Sequence, residues 1–264
     1  MRRNAITPKL RKMLLLASVL IFGVILGSDP SPMGTVKDAI VMWGKDHIIF
    51  PPRLVAFIVF ALMVVLANKF ICSWGCQFGT LQDLLFRLNR NAKDSSGIIK
   101  QWKLPFVLTN GVRIMFFLAI TIFAVVGSAD LVGPIDPFKI YSPMSMGIVG
   151  AAFVIVMLVL SLFIYRPWCH LFCPFGLMGW MLERFSIYKI KVNYDTCIAC
   201  EACAKACPST VMGAILKQDR TIPDCYSCGT CQATCPTKSI SFDNGHRTAP
   251  PDGKFDNKQS DDKV

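Results

Sequence analysis

The sequence predicts an α-helical membrane protein with four transmembrane helices, followed by a small α+β domain near the carboxyl end. Three observations support this prediction. The 264 residues are 53% hydrophobic and only 17% charged, with a mean hydropathy of +0.47, which is more apolar than a soluble domain of this size. Four apolar runs approach the roughly 20 residues that a helix needs to cross a bilayer. Eight of the twelve cysteines crowd into residues 197–235.

The four apolar runs cover residues 10–27, 54–71, 105–127 and 148–165, and all but the third are nearly free of charge. The first run is short and follows basic residues, as the apolar core of a signal peptide does. No small-residue cleavage site follows it, however, and residues 27–30 are typical of a turn, so we expect it to remain as a helix. The runs therefore predict a membrane domain over residues 1–185.

The basic residues around these runs predict their orientation. The amino terminus carries five, up to Lys12 at the start of the first run; three separate the first and second runs, five separate the second and third, and one separates the third and fourth. Because Lys and Arg collect in cytoplasmic loops, we expect a multi-pass protein of the bacterial inner membrane with both termini in the cytoplasm. The formal net charge of +11 then reflects membrane anchoring. Residues 186–243 carry six basic and five acidic residues, so nucleic-acid binding is not supported.

Two cysteine runs near the carboxyl end share one spacing, C-x2-C-x2-C-x3-C-P, starting at Cys197 and at Cys225. This spacing is typical of bacterial ferredoxins with two [4Fe-4S] clusters, in which the fourth cysteine of each run ligates the other cluster. Zinc is the other interpretation of a Cys-x2-Cys pair, but two complete copies ending in Cys-Pro disfavour it. The predicted ligands are Cys197, Cys200, Cys203 and Cys235 for the first cluster and Cys225, Cys228, Cys231 and Cys207 for the second.

The α+β domain is therefore expected to be a bacterial-type 2[4Fe-4S] ferredoxin domain over residues 186–243, held beside the bilayer by a connection of about ten residues. The residues expected to cover its clusters with apolar side chains are Ile198, Val211, Ile215, Ile222, Ile240 and Phe242. Residues 244–264 are polar and are expected to form a disordered tail.

The membrane domain contains an internal repeat. The segment CSWGCQFG that begins at Cys72 aligns with CHLFCPFG, which begins at Cys169, and Arg87 aligns with Arg184. Each copy follows a run that passes from outside to inside. We therefore expect two pseudo-symmetric helical hairpins whose C-x3-C pairs meet at the cytoplasmic surface.

The chemistry of these C-x3-C pairs is left open by their spacing. Cys72, Cys76, Cys169 and Cys173 together offer four thiolates, which is enough for a third cubane cluster, a single metal ion or two redox disulfides. They could equally be buried structural thiols without a ligand.

The membrane domain has few residues that suggest catalysis. The three histidines, His47, His170 and His246, lie outside the apolar runs, which argues against a haem between helices, and no C-x-x-C-H motif attaches one. A diffusible hydrophobic carrier such as quinol is therefore the candidate substrate, and its protons need an acceptor. The candidates are residues 43–47, Asp130, Asp136 and the intramembrane Arg113. Arg113 could instead bond helix-end carbonyls, and His47 could be an ordinary loop residue.

Together these motifs resemble the NapH-type ferredoxin-like quinol dehydrogenase membrane subunit of periplasmic nitrate reductase systems. The resemblance covers residues 1 to about 243 and rests on the four spans, the two C-x3-C motifs and the double ferredoxin run. Related families serve methylamine utilisation, the regulation of nitrous oxide reduction and copper-handling oxidase assembly. One departure is Gln77, which stands where the family's first motif usually has proline.

The resemblance implies that electrons pass from menaquinol or another quinol, through a partner iron–sulfur protein or cytochrome, to a periplasmic terminal reductase. The sequence shows neither the flavin-binding domain of the nitrous oxide regulator nor the extra domain of the copper factor, which favours this interpretation. Two alternatives stay open. One is an assembly factor that reduces a metal or a disulfide with the C-x3-C thiols. The other is a passive anchor that relays electrons within a larger complex.

Overall fold

The chain is mostly helical, with one small sheet near its carboxyl end. The structure, a computed structural model, describes residues 8–25, 33–36, 39–40, 51–89, 100–127, 133–219, 222, 224–251 and 254–255. Residues 33–36 and 39–40 are helical, between residues that are not described. The other helices before the sheet are α1 (Pro8–Ser18, continued by a π-helical segment Val19–Ile25), α2 (Pro51–Ala67), α3 (Phe70–Trp74), α4 (Gln77–Leu88), α5 (Phe106–Gly127), α6 (Ile148–Phe163), α7 (Pro167–Leu171) and α8 (Pro174–Glu183). Three short 3-10 turns lie between α5 and α6.

Apolar helices lie at the four expected spans, but they differ in length. Within the described ranges, one helix, Phe106–Val126, is long and apolar enough to cross a membrane. Leu54–Ala67 and Ile148–Phe163 are apolar but shorter, and the end of the first expected span, residues 26–27, lies outside the described residues. The prediction of four transmembrane helices is thus not confirmed by helix length and stays a prediction.

The second apolar helix ends at Ala67, four residues before the expected position 71. Asn68 has a φ of 57°, a left-handed conformation that breaks the helix. The chain then starts the short helix α3, which holds Cys72 on a separate element. The fourth helix likewise ends early, at Phe163, because Ile164 is extended (φ −119°, ψ 135°). Arg166 then has a φ of 48°, and Pro167 begins α7. Each C-x3-C pair therefore starts on a short helix that is set off from the apolar one.

The two copies of the repeat pack against each other in an equivalent way. Helix α4 of the first copy packs on α1 of its own copy and on α6 of the other. Helix α8 of the second copy packs on α5 of its own copy and on α2 of the other. Each amphipathic helix therefore fills the gap between the two hairpins, so the cysteine that precedes each one faces the centre of the molecule.

The carboxyl-terminal domain is built around a two-stranded antiparallel sheet of β1 (Tyr188–Val192) and β2 (Ile240–Asn244), in which Ile190 pairs with Phe242. The helices α9 (Ala202–Ala206), α10 (Val211–Lys217) and α11 (Thr230–Thr234) lie between the strands. Of the residues expected to cover the clusters, Val211, Ile215 and Ile240 are buried, and Ile222 and Phe242 pack on the same core. Ile198 is 64% exposed, but it lines the pocket formed by Cys197, Cys200, Cys203 and Cys235.

Several residues of the segment that was expected to be a disordered tail contact this domain. Phe255 is buried, and its ring packs edge-on against Tyr194 at a centroid distance of 6.2 Å. Arg247 Nε donates to the carbonyl of Ile190 at 2.9 Å. Residues 252–253 and 256–264 lie outside the described residues.

Candidate functional site

The eight cysteines of the ferredoxin-like domain line two pockets. One pocket is lined by Cys197, Cys200, Cys203 and Cys235, together with Phe255 and other apolar side chains. The other is lined by Cys207, Cys225, Cys228 and Cys231. Each pocket thus takes three thiols from one run and the fourth from the other run, which is the grouping that the spacing predicts. The thiols present fit a cubane cluster in each pocket.

Backbone conformation repeats around the two pockets. Ala199, Glu201 and Thr210 have left-handed φ angles of 52°, 53° and 61°. At the same distances from the second run's cysteines, Ser227, Gly229 and Lys238 have φ angles of 49°, 76° and 54°. These turns direct successive thiols and N–H groups toward one centre, as a loop that holds a cluster requires.

The four C-x3-C thiols also come together, in the core of the membrane domain. Cys72, Cys76, Cys169 and Cys173 are 6–9% exposed and belong to one cluster of buried side chains. Cys76 and Cys173 occupy equivalent positions immediately before α4 and α8. No set of three or more His, Cys, Asp or Glu side chains among the described residues could hold a single metal ion. That finding concerns a single ion, because a cubane spreads its ligands around a larger volume.

Burial controls the protonation of these four thiols. It raises the pKa of Cys169 to about 12, with a further contribution from the nearby Cys76. Burial also raises the pKa of Cys72, Cys76 and Cys173, and Cys173 is affected by the other three thiols, so the four lie close together. Free thiols with such pKa values stay protonated at neutral pH, whereas a bound metal displaces the proton.

One buried carboxylate, Asp83 on α4, gathers three guanidinium groups beside these thiols. Its oxygens lie 2.7 Å from Arg11, 2.9 Å from Arg87 and 3.0 Å from Arg166. Burial alone would raise the pKa of Asp83, but Arg87, Arg11 and Arg166 outweigh it and hold that pKa well below its usual range. Arg166 also donates to the carbonyl of Cys72 at 2.5 Å. The network therefore joins α1, α4 and the chain just before α7 around the first cysteine pair.

A second buried carboxylate, Asp224, belongs to the ferredoxin-like domain and is paired by the membrane domain. It forms ion pairs with Lys69 and, at 2.7 Å, with Arg113. Arg113 also donates to the carbonyl of His170 at 3.0 Å. Lys69 lies 3.7 Å from Glu183, whose other contacts include the backbone N–H of Cys225. These bonds fix the loop of the second pocket against the membrane helices.

Tyr226 connects the second pocket with the C-x3-C thiols. Its backbone lies between Cys225 and Cys228, yet its side chain is 2% exposed and belongs to the core of the membrane domain. The hydroxyl donates to the carbonyl of Cys169 at 3.5 Å, and the ring packs against His170 with a centroid distance of 5.2 Å. The same residue thus touches both candidate iron–sulfur sites.

The other residues singled out in the sequence have mixed outcomes. Residues 41–50, which include His47, and Asp130 lie outside the described residues. Asp136 caps a 3-10 turn by accepting from the N–H of Phe138, and His246 is exposed. Arg113 bonds a carbonyl, as one interpretation expected, and also pairs with Asp224.

The sequence reasoning did not identify Asp83, Asp224, Lys69, Arg166 or Tyr226. A signal was present for the two cations, since Lys69 and Arg166 each stand three residues before the first cysteine of their repeat. Arg11 and Arg113 share a second signal, because each begins an Arg-x-Met pattern that continues to Leu-Ala five residues on. No pattern marked the two carboxylates as a pair, because Asp224 comes from the other domain.

Comparisons with known proteins assign iron–sulfur chemistry to the same segments. A 4Fe-4S binding domain family matches residues 49–93 and again residues 146–193, the two repeats that carry the C-x3-C pairs. A 4Fe-4S dicluster domain family matches residues 189–236. The chain contains ferredoxin-type 4Fe-4S domains. The search of solved structures found no match.

Curated relatives are similar over most of this chain. YccM of Escherichia coli, named provisionally for electron transport, is 32% identical over 70% of this chain and 53% of its own length. The methylamine utilization ferredoxin-type protein MauN of Paracoccus denitrificans is 27% identical over 73% of this chain and 65% of its own. The regulatory protein NosR of Pseudomonas aeruginosa is 24% identical over 66% of this chain. The chain spans about half the length of YccM and 24% of that of NosR.

Proposed function

We propose that this chain is a membrane-bound iron–sulfur electron-transfer protein that takes electrons from a quinol and delivers them to a partner redox protein. The proposal rests on the arrangement of three four-thiol groups. In spatial order they are the C-x3-C quartet, the second ferredoxin pocket and the first ferredoxin pocket. Tyr226 touches both of the first two groups. When bound, iron–sulfur clusters accept and release single electrons.

Exposed side chains on the apolar helices support the membrane assignment. Val55, Ile58 and Leu62 on α2 are about half exposed, and so are Leu118 and Ile122 on α5. Extended apolar faces of this kind are unusual on a soluble monomer and suit contact with lipid. We place the protein in the bacterial inner membrane, with both termini and the ferredoxin-like domain in the cytoplasm.

The C-x3-C quartet is proposed to hold a third cluster. Both repeats match a 4Fe-4S binding family, and each supplies two of the four buried thiols. The cations Arg166, Arg113 and Lys69 lie around them, as an anionic thiolate-ligated cluster requires. A partner protein cannot readily reach buried thiols with raised pKa values, which argues against the assembly factor that works by thiol exchange.

Quinol oxidation would supply the electrons. Oxidation of one quinol to quinone releases two electrons and two protons. Clusters held by these thiol groups would accept the two electrons one at a time, and the two protons would pass to water. The partner iron–sulfur protein or cytochrome then takes the electrons toward a terminal reductase.

Iron counting with spectroscopy on protein purified from membranes without oxygen tests the proposal. We expect about 12 irons per chain, four for each of three clusters, and reduction of their absorbance and EPR signals by a menaquinol analogue. Replacing Cys72 and Cys169 together by Ala should lower the count to about 8 and leave the ferredoxin signals. A count of about 8 irons in the unaltered protein would show that the C-x3-C quartet holds no cluster. Absorbance and EPR spectra that do not change when the menaquinol analogue is added would show that quinol is not the electron donor.

A further inference from the structure

A cleft lies between the membrane helices and the ferredoxin-like domain, and no chemistry considered so far uses it. One wall is the segment that enters α5, including Trp102, Leu104, Phe106 and Thr109. Opposite it lie Ile164 and Tyr165, just after α6, and the loop Pro208, Ser209 and Thr210. His170 and Asp224 also line it. The cleft is therefore apolar on the side where the membrane helices end and polar on the side of the ferredoxin-like domain.

Two residues that line the cleft each carry a buried side-chain polar atom without a hydrogen-bond partner among the described residues. His170 is 9% exposed and Tyr165 is 2% exposed, and within the described part of the chain neither His170 Nε2 nor Tyr165 Oη has a partner. An unsatisfied buried polar atom costs about 1–3 kcal/mol, so such atoms usually serve a ligand or water. Asp224, by contrast, is already paired with Lys69 and Arg113.

The chemistry of these two atoms suits a carbonyl or a hydroxyl group. A tyrosine hydroxyl can both donate and accept a hydrogen bond, and the unbonded nitrogen of a neutral imidazole can do either, depending on its tautomer. The pair can therefore bond a ring carbonyl in one redox form of a ligand and the corresponding hydroxyl in the other.

The position of the cleft limits the ligand further. It lies at the amino end of α5, the helix long enough to cross a bilayer, and at the end of α6. Trp102 at its edge is 60% exposed, while its backbone N–H is bonded to the carbonyl of Phe163 at 2.9 Å. Tryptophan favours the membrane interface. A ligand with a polar ring and an apolar tail could thus enter from the lipid beside this exposed indole.

The cleft also borders the second ferredoxin pocket. Pro208 and Ser209 line both, and Asp224 in the cleft precedes the pocket residue Cys225. A redox-active ring in the cleft would therefore lie one loop away from that cluster site.

We propose that this cleft binds the headgroup of a quinone or quinol, with His170 Nε2 and Tyr165 Oη as its hydrogen-bond partners. The inference rests on the proposed quinol function and adds the location and the residues of the site.

A fluorescence titration of the full chain in lipid vesicles tests it, with 2-heptyl-4-hydroxyquinoline N-oxide as a quinol-like probe whose emission is quenched on binding. We expect saturable quenching that a short-tailed menaquinone reverses. Tyr165→Phe and His170→Leu should each weaken probe binding about fivefold, because each removes one hydrogen bond. Tyr188→Phe removes a hydroxyl from an exposed residue of β1 and should leave binding unchanged. Iron content shows that each variant has folded.

The outcomes separate this inference from the function on which it rests. Saturable binding that is equal in the unaltered protein and in both cleft variants would overturn the site and leave quinol as substrate. No saturable binding in the unaltered protein would overturn both. If His170→Leu loses its iron, a photoreactive azidoquinone on the unaltered protein decides instead. Crosslinks at residues 102–109, 164–170 or 208–210 support the site, and crosslinks confined to other segments overturn it.

Discussion

Asp83 shows how strongly one side chain can hold this membrane domain together. Its carboxylate is fully buried and lies within 3.0 Å of Arg11, Arg87 and Arg166. Asp83→Asn would remove the counter-charge that the buried guanidinium groups of Arg11 and Arg166 share, and losing one partner of a buried ion pair typically costs about 3–5 kcal/mol. We expect a loss of this size in the free energy of unfolding in detergent. Asp219→Asn, an exposed change of the same kind, should cost little. Equal stability of the two variants would contradict this role.

The same residue predicts a pH dependence. The pKa of Asp83 is held well below its usual range in the folded protein, whereas the unfolded carboxyl titrates near about 3.9. Its contribution is therefore complete above that value and is lost as the pH falls through and below it. The difference in unfolding free energy between the unaltered protein and Asp83→Asn should stay constant from pH 7 to about 4 and shrink at lower pH. A difference that shrinks above pH 5 would point to another group.

Cys207 and Cys235 allow a test of which thiols share a cluster. Cys207 lines the pocket of the second run, although it belongs to the first run, and Cys235 does the reverse. Cys207→Ala should therefore change the same EPR signal as Cys228→Ala, and Cys235→Ala the same signal as Cys203→Ala. If Cys207→Ala instead matched Cys203→Ala, each run would hold its own cluster.

Among the helices, α4 and α8 each approach a short helix through one glycine. A Cβ atom at Gly79 would lie 2.9 Å from the carbonyl oxygen of Cys72, and one at Gly176 would lie 2.9 Å from that of Cys169. Alanine at either position should push the helix away from its cysteine pair. Such overpacking typically costs about 1–3 kcal/mol, and iron at the C-x3-C quartet should fall.

Gly213 supplies the matched control for this prediction. It is a helical glycine on α10, and a Cβ atom there would meet nothing within 4 Å. Gly213→Ala should therefore stabilise the protein by about 0.5–1 kcal/mol, because alanine loses less backbone entropy in a helix. Thermal unfolding of the three alanine variants measures the contrast. A stabilised Gly79→Ala would show that α3 and α4 are not in close contact.

The helix boundaries show where hydropathy alone predicts the structure and where it does not. Hydropathy placed α5 within one residue, because nothing in residues 106–127 interrupts the apolar pattern. It extended the second helix past Ala67, because Phe70 and Ile71 continue the apolar pattern after the break. The break lies at Asn68, and the next residue, Lys69, bonds Asp224, which is 155 residues away. A hydropathy profile scores each residue by itself and cannot show a contact between residues so far apart in the sequence.

At the scale of the whole molecule, the grouping of the cysteines could be predicted from the sequence, but the packing of the two domains could not. Cysteine spacing alone grouped the eight ferredoxin thiols as the two pockets do, because a cubane and a tight loop leave few geometries. The docking of the two domains was not predicted. It depends on Asp224 and Tyr226, which look like ordinary residues of a cysteine loop until their partners on the membrane helices are known.

Asp224 is therefore the residue with which to test the docking. Asp224→Asn would leave Lys69 and Arg113 buried with a weaker partner, and we expect faster hydrogen exchange at residues 224–231 and at α3. The spectra of the first pocket, which is lined by residues of the same domain, should not change. The exposed Asp219→Asn again serves as the control. Unchanged exchange in Asp224→Asn would mean that apolar packing alone holds the domains together.

The buried side chain of Tyr226 also limits how the ferredoxin-like domain can work. Detaching that domain would pull an aromatic ring out of the core formed by the helices of residues 1–185 and leave Lys69 and Arg113 without Asp224. The domain is thus not suited to carry electrons as a freely diffusing protein, unlike the small ferredoxins with the same cysteine spacing. Under the proposed function, a redox partner would have to reach the docked domain and accept electrons on the side where Cys200 is exposed.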